Sequence, residues 1–156
     1  MHLNPPRIGK RHLIAYPHLF LSYSRANIQV MQTIRSQLQY EGFETWSDER
    51  LEPGTPEWHT AIETAIEKSG GFIVLMTPDA KASTWVNREI ECALKYYKRI
   101  FQVLVDGDED SAVPRKLGNV QRVDLRTDIH SGTRSLGNAI RKYLYSQTPT
   151  AAEAMK

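Results

Sequence analysis

The sequence predicts an α/β fold, a parallel sheet covered by helices on both faces. Short apolar runs of strand length alternate with longer stretches in which apolar residues recur at helical spacing, the pattern of βα units whose strands are buried on both sides. The run Phe72-Ile73-Val74-Leu75-Met76 is apolar throughout and bounded by Gly70-Gly71 and Pro78, which marks it as a central strand. With 156 residues, 40% of them hydrophobic and 24% charged, the chain has the composition of one globular domain. At that length it buries roughly 70% of its unfolded surface and needs no staples.

Five βα units follow in order. A first strand over Leu19 to Ser22 leads into a helix from about Asn27 to Tyr40, with Met31, Ile34 and Leu38 on its core side and Gly42 as its stop. A second strand, Phe43 to Trp46, runs into the polar loop from Ser47 to Thr55. Pro56 then suits a first helical turn, and the helix it opens buries Trp58, Ile62, Ala65 and Ile66. After the central strand, Pro78 ends the run, and Ser83 or Thr84 caps a helix whose expected core stripe is Val86, Ile90, Ala93, Leu94 and Tyr97. A fourth strand over Ile100 to Val105 is followed by an acidic loop, Asp106 to Asp110. A short strand near Val120 to Asp124 and a last helix with Leu136, Ala139, Ile140, Tyr143 and Leu144 inward complete the domain. The domain is expected over residues 18–146, with 1–17 a tether and 147–156 a tail or linker; Pro5, Pro6 and Pro17 argue against a helical transit peptide there.

Charge and composition exclude several classes. The net charge of +2 comes from 20 basic and 18 acidic residues interleaved along the chain, which gives no basic face for nucleic acid. No apolar run approaches the ~20 residues that span a bilayer, so no membrane partner is expected. Cys92 is the sole cysteine, which rules out an intrachain disulfide and makes an intracellular, cytoplasmic location the default. Its simplest reading is a small buried hydrophobe. His2, His12, His18, His59 and His130 lack metal-site spacing, so no metal is expected. No glycine-rich phosphate loop is present, so a dinucleotide here is a substrate and not a bound redox cofactor.

Three stretches carry a resemblance. Phe20-Leu21-Ser22-Tyr23-Ser24-Arg25 is similar to the opening strand and Ser-Tyr signature of the TIR (Toll/interleukin-1 receptor) domain family. Gly42-Phe43-Glu44-Thr45-Trp46-Ser47-Asp48, with Leu51-Glu52-Pro53-Gly54 behind it, resembles the second strand and the long loop known there as the BB loop. Ser83-Thr84-Trp85-Val86-Asn87-Arg88-Glu89-Ile90 places Trp and Glu four apart after a capped helix start, as in bacterial and enzymatic animal members. The resemblance spans Leu19 to Tyr145. It implies a flavodoxin-like three-layer sandwich with a five-stranded parallel sheet, and self-association through the loop of Arg50, Leu51, Glu52, Pro53 and Gly54. It further implies one of two functions: cleavage or cyclisation of NAD⁺, in a bacterial defence effector joined to some sensor domain, or non-catalytic scaffolding between TIR domains. A phosphotransfer receiver of similar topology needs acids where Ser22, Tyr23 and Thr77 stand.

The resemblance maps Glu89 onto the catalytic carboxylate. Nicotinamide leaves NAD⁺ neutral from a cationic state, so no general acid is required, unlike ordinary glycoside hydrolysis. One carboxylate can stabilise the oxocarbenium-like ribose, and a place one turn inside a helix favours its ionised form. The expectation is that Glu89 faces an open crevice beyond the C-terminal ends of the strands. Trp85, at i−4, is expected as a pocket wall apart from the core stripe. The resemblance also maps Tyr23 and Arg25 onto the adenine or phosphate side, where Arg25 can pair with a pyrophosphate, and has Trp46 and Asp48 flank the ribose and base.

Overall fold

A computed structural model of the protein describes residues 17–47, 56–118 and 122–147, apart from the side chains at 56 and 58. Strands β1 (Leu19–Ser22), β2 (Thr45–Trp46), β3 (Phe72–Met76), β4 (Ile100–Leu104) and β5 (Val123–Asp124) form one parallel sheet in the order β2-β1-β3-β4-β5. The helices are α1 (Ile28–Tyr40), α2 (Pro56–Lys68), α3 (Pro78–Ala82), α4 (Thr84–Lys95), α5 (Glu109–Ala112) and α6 (Ile129–Gln147). This is the flavodoxin-like α/β sandwich that the sequence predicts, with β3 at its centre. Strand order reverses between β1 and β3, which opens a crevice beyond their C-terminal ends.

Two apolar cores hold the layers. Because strand side chains alternate, Phe20, Phe72, Val74 and Met76 face α2 and α4, meeting Ile62, Ile66, Val86, Ile90 and Ala93. Leu19, Leu21, Ile73 and Leu75 face the opposite way, meeting Met31, Ile34 and Leu38 of α1 and Leu136, Ile140 and Leu144 of α6. Gly42, at φ 99°, ends α1 as expected: its N–H bonds Gln39 O and the next N–H, of Phe43, bonds Leu38 O, the paired bonds of a Schellman turn.

Several expectations are corrected. Pro78 opens a helix as well as ending a strand, because Thr77 Oγ1 accepts the Ala80 N–H at 2.9 Å and proline suits the first helical turn. Part of the acidic loop is the short α5, capped by Asp108 and Ser111 in a reciprocal box. Leu94 and Tyr97 are not core: they are 43% and 94% exposed. The buried side of α4 is Val86, Glu89, Ile90 and Ala93. At about 100° per residue, Leu94 lies roughly 80° past Val86 on one side and Glu89 roughly 60° past it on the other, so the true stripe is rotated toward Glu89. Tyr97 leaves the helix altogether, in the left-handed region at φ 55°. The described part of β5 is Val123–Asp124, and the expected start at Val120, the side chain of Trp58, most of the 1–17 tether and the tail from 148 lie outside the described residues.

Candidate functional site

The site is built where β1 ends against α4. Alternation along β1 turns Phe20 and Ser22 toward the α2/α4 layer, and pairing of Ser22 with Val74 of β3 fixes the strand end. Across from it Ser83 caps α4, its Oγ accepting the Val86 N–H at 3.1 Å, while Asn87 donates to the carbonyls of Lys81 and Ser83. That cap fixes where α4 begins, and its packing on β1 and α2 turns Glu89 inward. Ser22 Oγ donates to Glu89 Oε1 at 2.6 Å, with Ser22 1% and Glu89 3% exposed.

Glu89 was expected to face an open crevice and is instead almost fully enclosed. It does point to the C-terminal end of β1, and it lines a cavity of about 210 Å³ between α2 and α4. His59, Ile62 and Glu63 form one wall of that cavity, and Arg88, Glu89, Cys92 and Lys95 the other. Trp85 stands at its edge, half-buried and packed against the same core, with the Arg88 guanidinium 4.9 Å above its ring and the His59 ring 6.2 Å away. It packs against the core and touches the cavity's Arg88 and His59, but does not itself line the cavity. At the far end of the cavity Glu63 accepts from Tyr96 Oη at 2.7 Å and Lys95 Nζ at 3.0 Å. Those bonds, the tyrosine's first, hold the Glu63 carboxyl below its ordinary range. Burial pushes the Cys92 thiol up, which leaves it protonated and unreactive near neutral pH.

The other expected site residues are dispersed. Trp46 is half-buried, stacks on Phe20 at 5.4 Å and belongs to the same layer as Glu89. Tyr23 sits elsewhere than expected: one residue beyond Ser22, it turns to the opposite face and is 5% exposed in the α1/α6 core. Arg25 is exposed in the 3₁₀ turn Arg25–Asn27 that follows β1, with Ser24 Oγ accepting the Ala26 N–H. Thr77 Oγ1 donates to Asn27 Oδ1 at 2.8 Å, tying this turn to the end of β3. Asp48 and the loop residues Arg50, Leu51, Glu52, Pro53 and Gly54 lie outside the described residues.

The sequence reading left Ser22, His59 and Arg88 out of the site. Period-two alternation could have found Ser22, since it shares the face of Phe20 and is the only polar residue of its strand. His59 and Arg88 meet only through the packing of α2 on α4, for which the sequence holds no local signal.

A larger groove of about 910 Å³ lies at the β5 edge, between β4, β5 and α6. Its carboxylates are engaged, Asp124 by Arg126 and Asp128 by the N–H groups of His130 and Ser131. The smaller cavity, with a buried carboxylate, is therefore the better candidate for chemistry. Among the described residues no cluster of His, Cys, Asp and Glu could hold a metal ion, and no helix is long and apolar enough to cross a membrane.

Comparison with known proteins agrees with this architecture. The fold resembles the TIR domain of the Toll-related receptor TRR-2 from Hydra magnipapillata, at 24% identity and TM-score 0.66, covering 80% of this chain and 98% of that one. It also resembles the TIR domains of the activated Roq1 resistosome, at 18% identity and TM-score 0.58, covering 81% and 98%. A third likeness is the RPS4 and RRS1 TIR domain heterodimer, at 13% identity and TM-score 0.60, covering 82% and 98%. No match was found among curated proteins. The family model described as TIR domain matches residues 19–139, and the chain belongs to the TIR domain family.

Proposed function

We propose that this domain is an NAD⁺ glycohydrolase, with Glu89 as the catalytic carboxylate. The observation that carries the reading is a glutamate 3% exposed, held at 2.6 Å by Ser22 and lining a cavity at the end of β1. Burying a carboxylate costs several kcal/mol even after relaxation, and a leucine or methionine would serve packing better. A module that only docks with others has no use for that penalty. A carboxylate facing a sugar cation does, because a low-dielectric wall strengthens the attraction.

In this reading the C–N bond between ribose and nicotinamide breaks with its electron pair leaving on the ring nitrogen. Glu89 stabilises the positive character at the ribose, and water adds to the anomeric carbon and releases a proton. Attack by the adenine ring of the same molecule instead of water gives the cyclase outcome. Trp85 stands at the cavity's edge, Trp46 and Asp48 flank the ribose and base, and Arg25 pairs with the pyrophosphate. A cavity of about 210 Å³ is smaller than the ~300–1,000 Å³ usual for small-molecule sites, so it takes the nicotinamide riboside half of the dinucleotide. The remainder extends over the mouth, where a second copy can complete the site through the loop Arg50 to Gly54. TIR domains assembled with one another in the Roq1 resistosome and the RPS4 and RRS1 heterodimer support this self-association. A bacterial defence effector in the cytoplasm, with a further sensor domain or partner, is the setting we infer.

Concentrated protein incubated with NAD⁺ is expected to release nicotinamide, and Glu89→Ala to abolish the release. Turnover equal in the two proteins would remove Glu89 from the mechanism. Self-assembly with no turnover at any concentration would leave a scaffold in place of an enzyme.

A further inference from the structure

We infer that Ser22 is a positioning residue for the Glu89 carboxylate, locking its rotation so that one oxygen is turned to the reacting ribose; this rests on the glycohydrolase reading above. The two residues stand 67 apart in sequence and meet through a hydrogen bond of 2.6 Å, the length expected of a hydroxyl donating to an anion. Ser22 is well suited to impose an orientation. It is the last residue of β1, 1% exposed, with its backbone held in register with Val74. A glutamate side chain on a helix has three rotatable bonds, and the hydroxyl is a fixed point on a rigid strand for its far end. A hydroxyl has one proton to give and an ionised carboxylate can only accept, so the bond runs from Ser22 to Oε1 and favours the charged form. The other charged or titratable groups of the cavity are His59 and Glu63 from α2 and Arg88, Cys92 and Lys95 from α4. Lys95 is engaged by Glu63 and Arg88 lies over Trp85. Ser22 reaches the carboxylate from the sheet side.

The test compares the wild type, Ser22→Ala, Ser22→Thr and Glu89→Gln as full chains, at a concentration where the wild type releases nicotinamide. Ser22→Ala is expected to lower kcat by roughly tenfold or more with KM within about twofold, because an orientation is lost and not a substrate contact. The acid limb of its pH profile is expected to move to higher pH, since a donor to the charged form is gone. Ser22→Thr, which keeps the hydroxyl, recovers most of the rate. The carboxyl carbon of Glu89, labelled with ¹³C and assigned by its disappearance in Glu89→Gln, gives a readout that needs no turnover: its titration is expected to move with Ser22→Ala in the same direction. An inactive Glu89→Gln beside a Ser22→Ala that matches the wild type in rate, acid limb and ¹³C titration overturns the role of Ser22 alone. A fully active Glu89→Gln overturns the glycohydrolase reading and the role of Ser22 with it.

Discussion

Replacing Glu89 by glutamine separates a carboxylate kept for chemistry from one kept for folding, without any assay of turnover. The side chain is 3% exposed and Ser22 gives it one hydrogen bond at 2.6 Å. A hydrogen bond to a charged group contributes about 1.5–3 kcal/mol, whereas the effective penalty for enclosing the ion is several kcal/mol. The amide keeps the volume and can still accept from Ser22 Oγ, while its desolvation penalty is lower by roughly 1–3 kcal/mol. Glu89→Gln is therefore expected to stabilise the domain by about 1–2 kcal/mol at neutral pH. For a domain of this size that raises Tm by about 2–8 °C, at some 2–4 °C per kcal/mol. Thermal unfolding followed by circular dichroism, with urea titration to check that the m-value is unchanged, measures it. A Tm lowered by a similar amount would refute the reasoning, since the carboxylate would then be pinning α4 to β1 and its enclosure would need no functional explanation.

Two further outcomes follow from the geometry. Tyr97 carries the end of α4 at φ 55° while 94% exposed, its N–H bonding Leu94 O and that of Lys98 bonding Ala93 O as in a Schellman turn. Tyr97→Gly removes the left-handed strain of a side chain that makes little packing contact, and is expected to stabilise by about 0.5–1 kcal/mol; an unchanged or lower urea midpoint contradicts this. Asp124 is held down to about 2 by the Arg126 guanidinium and by the Arg126 N–H. A depressed carboxyl adds stability that is present above its unfolded value near 3.9 and lost as pH falls toward 2, so Asp124→Asn is expected to lower Tm slightly at pH 7 and to match the wild type near pH 2. A gap that persists unchanged at pH 2 counts against the pairing.

How far the sequence reaches is clearest along α4. A capping hydroxyl at Ser83 or Thr84, the Trp85 and Glu89 spacing and the apolar positions Val86, Ile90 and Ala93 could all be read directly, because capping and helical periodicity are local. Which arc of the helix is buried could not, since Leu94 and Glu89 bracket the same stripe and only docking on β1 and α2 chooses between them. Apolarity alone favours Leu94, and the structure encloses the charged residue instead. Tyr23 and Ser22 differ in the same way. Adjacent in the signature, they part to opposite faces of the sheet, Ser22 to the carboxylate and Tyr23 to the α1/α6 core. Strand alternation predicts that they separate and puts Ser22 on the face of Phe20, but not that Glu89 is the residue it meets there.

By itself the sequence marked the five strands, the Gly42 stop, a hydroxyl cap for α4 and the family resemblance, because each signal lies in residues close together in the chain, and the alternation of strands with helices pointed to a parallel sheet. Only the tertiary structure decided that Ser22 meets Glu89, that His59 and Arg88 share its cavity and that the carboxylate is enclosed. Those are contacts between segments tens of residues apart, set by how helices rotate and seat on a sheet, and no local propensity encodes them.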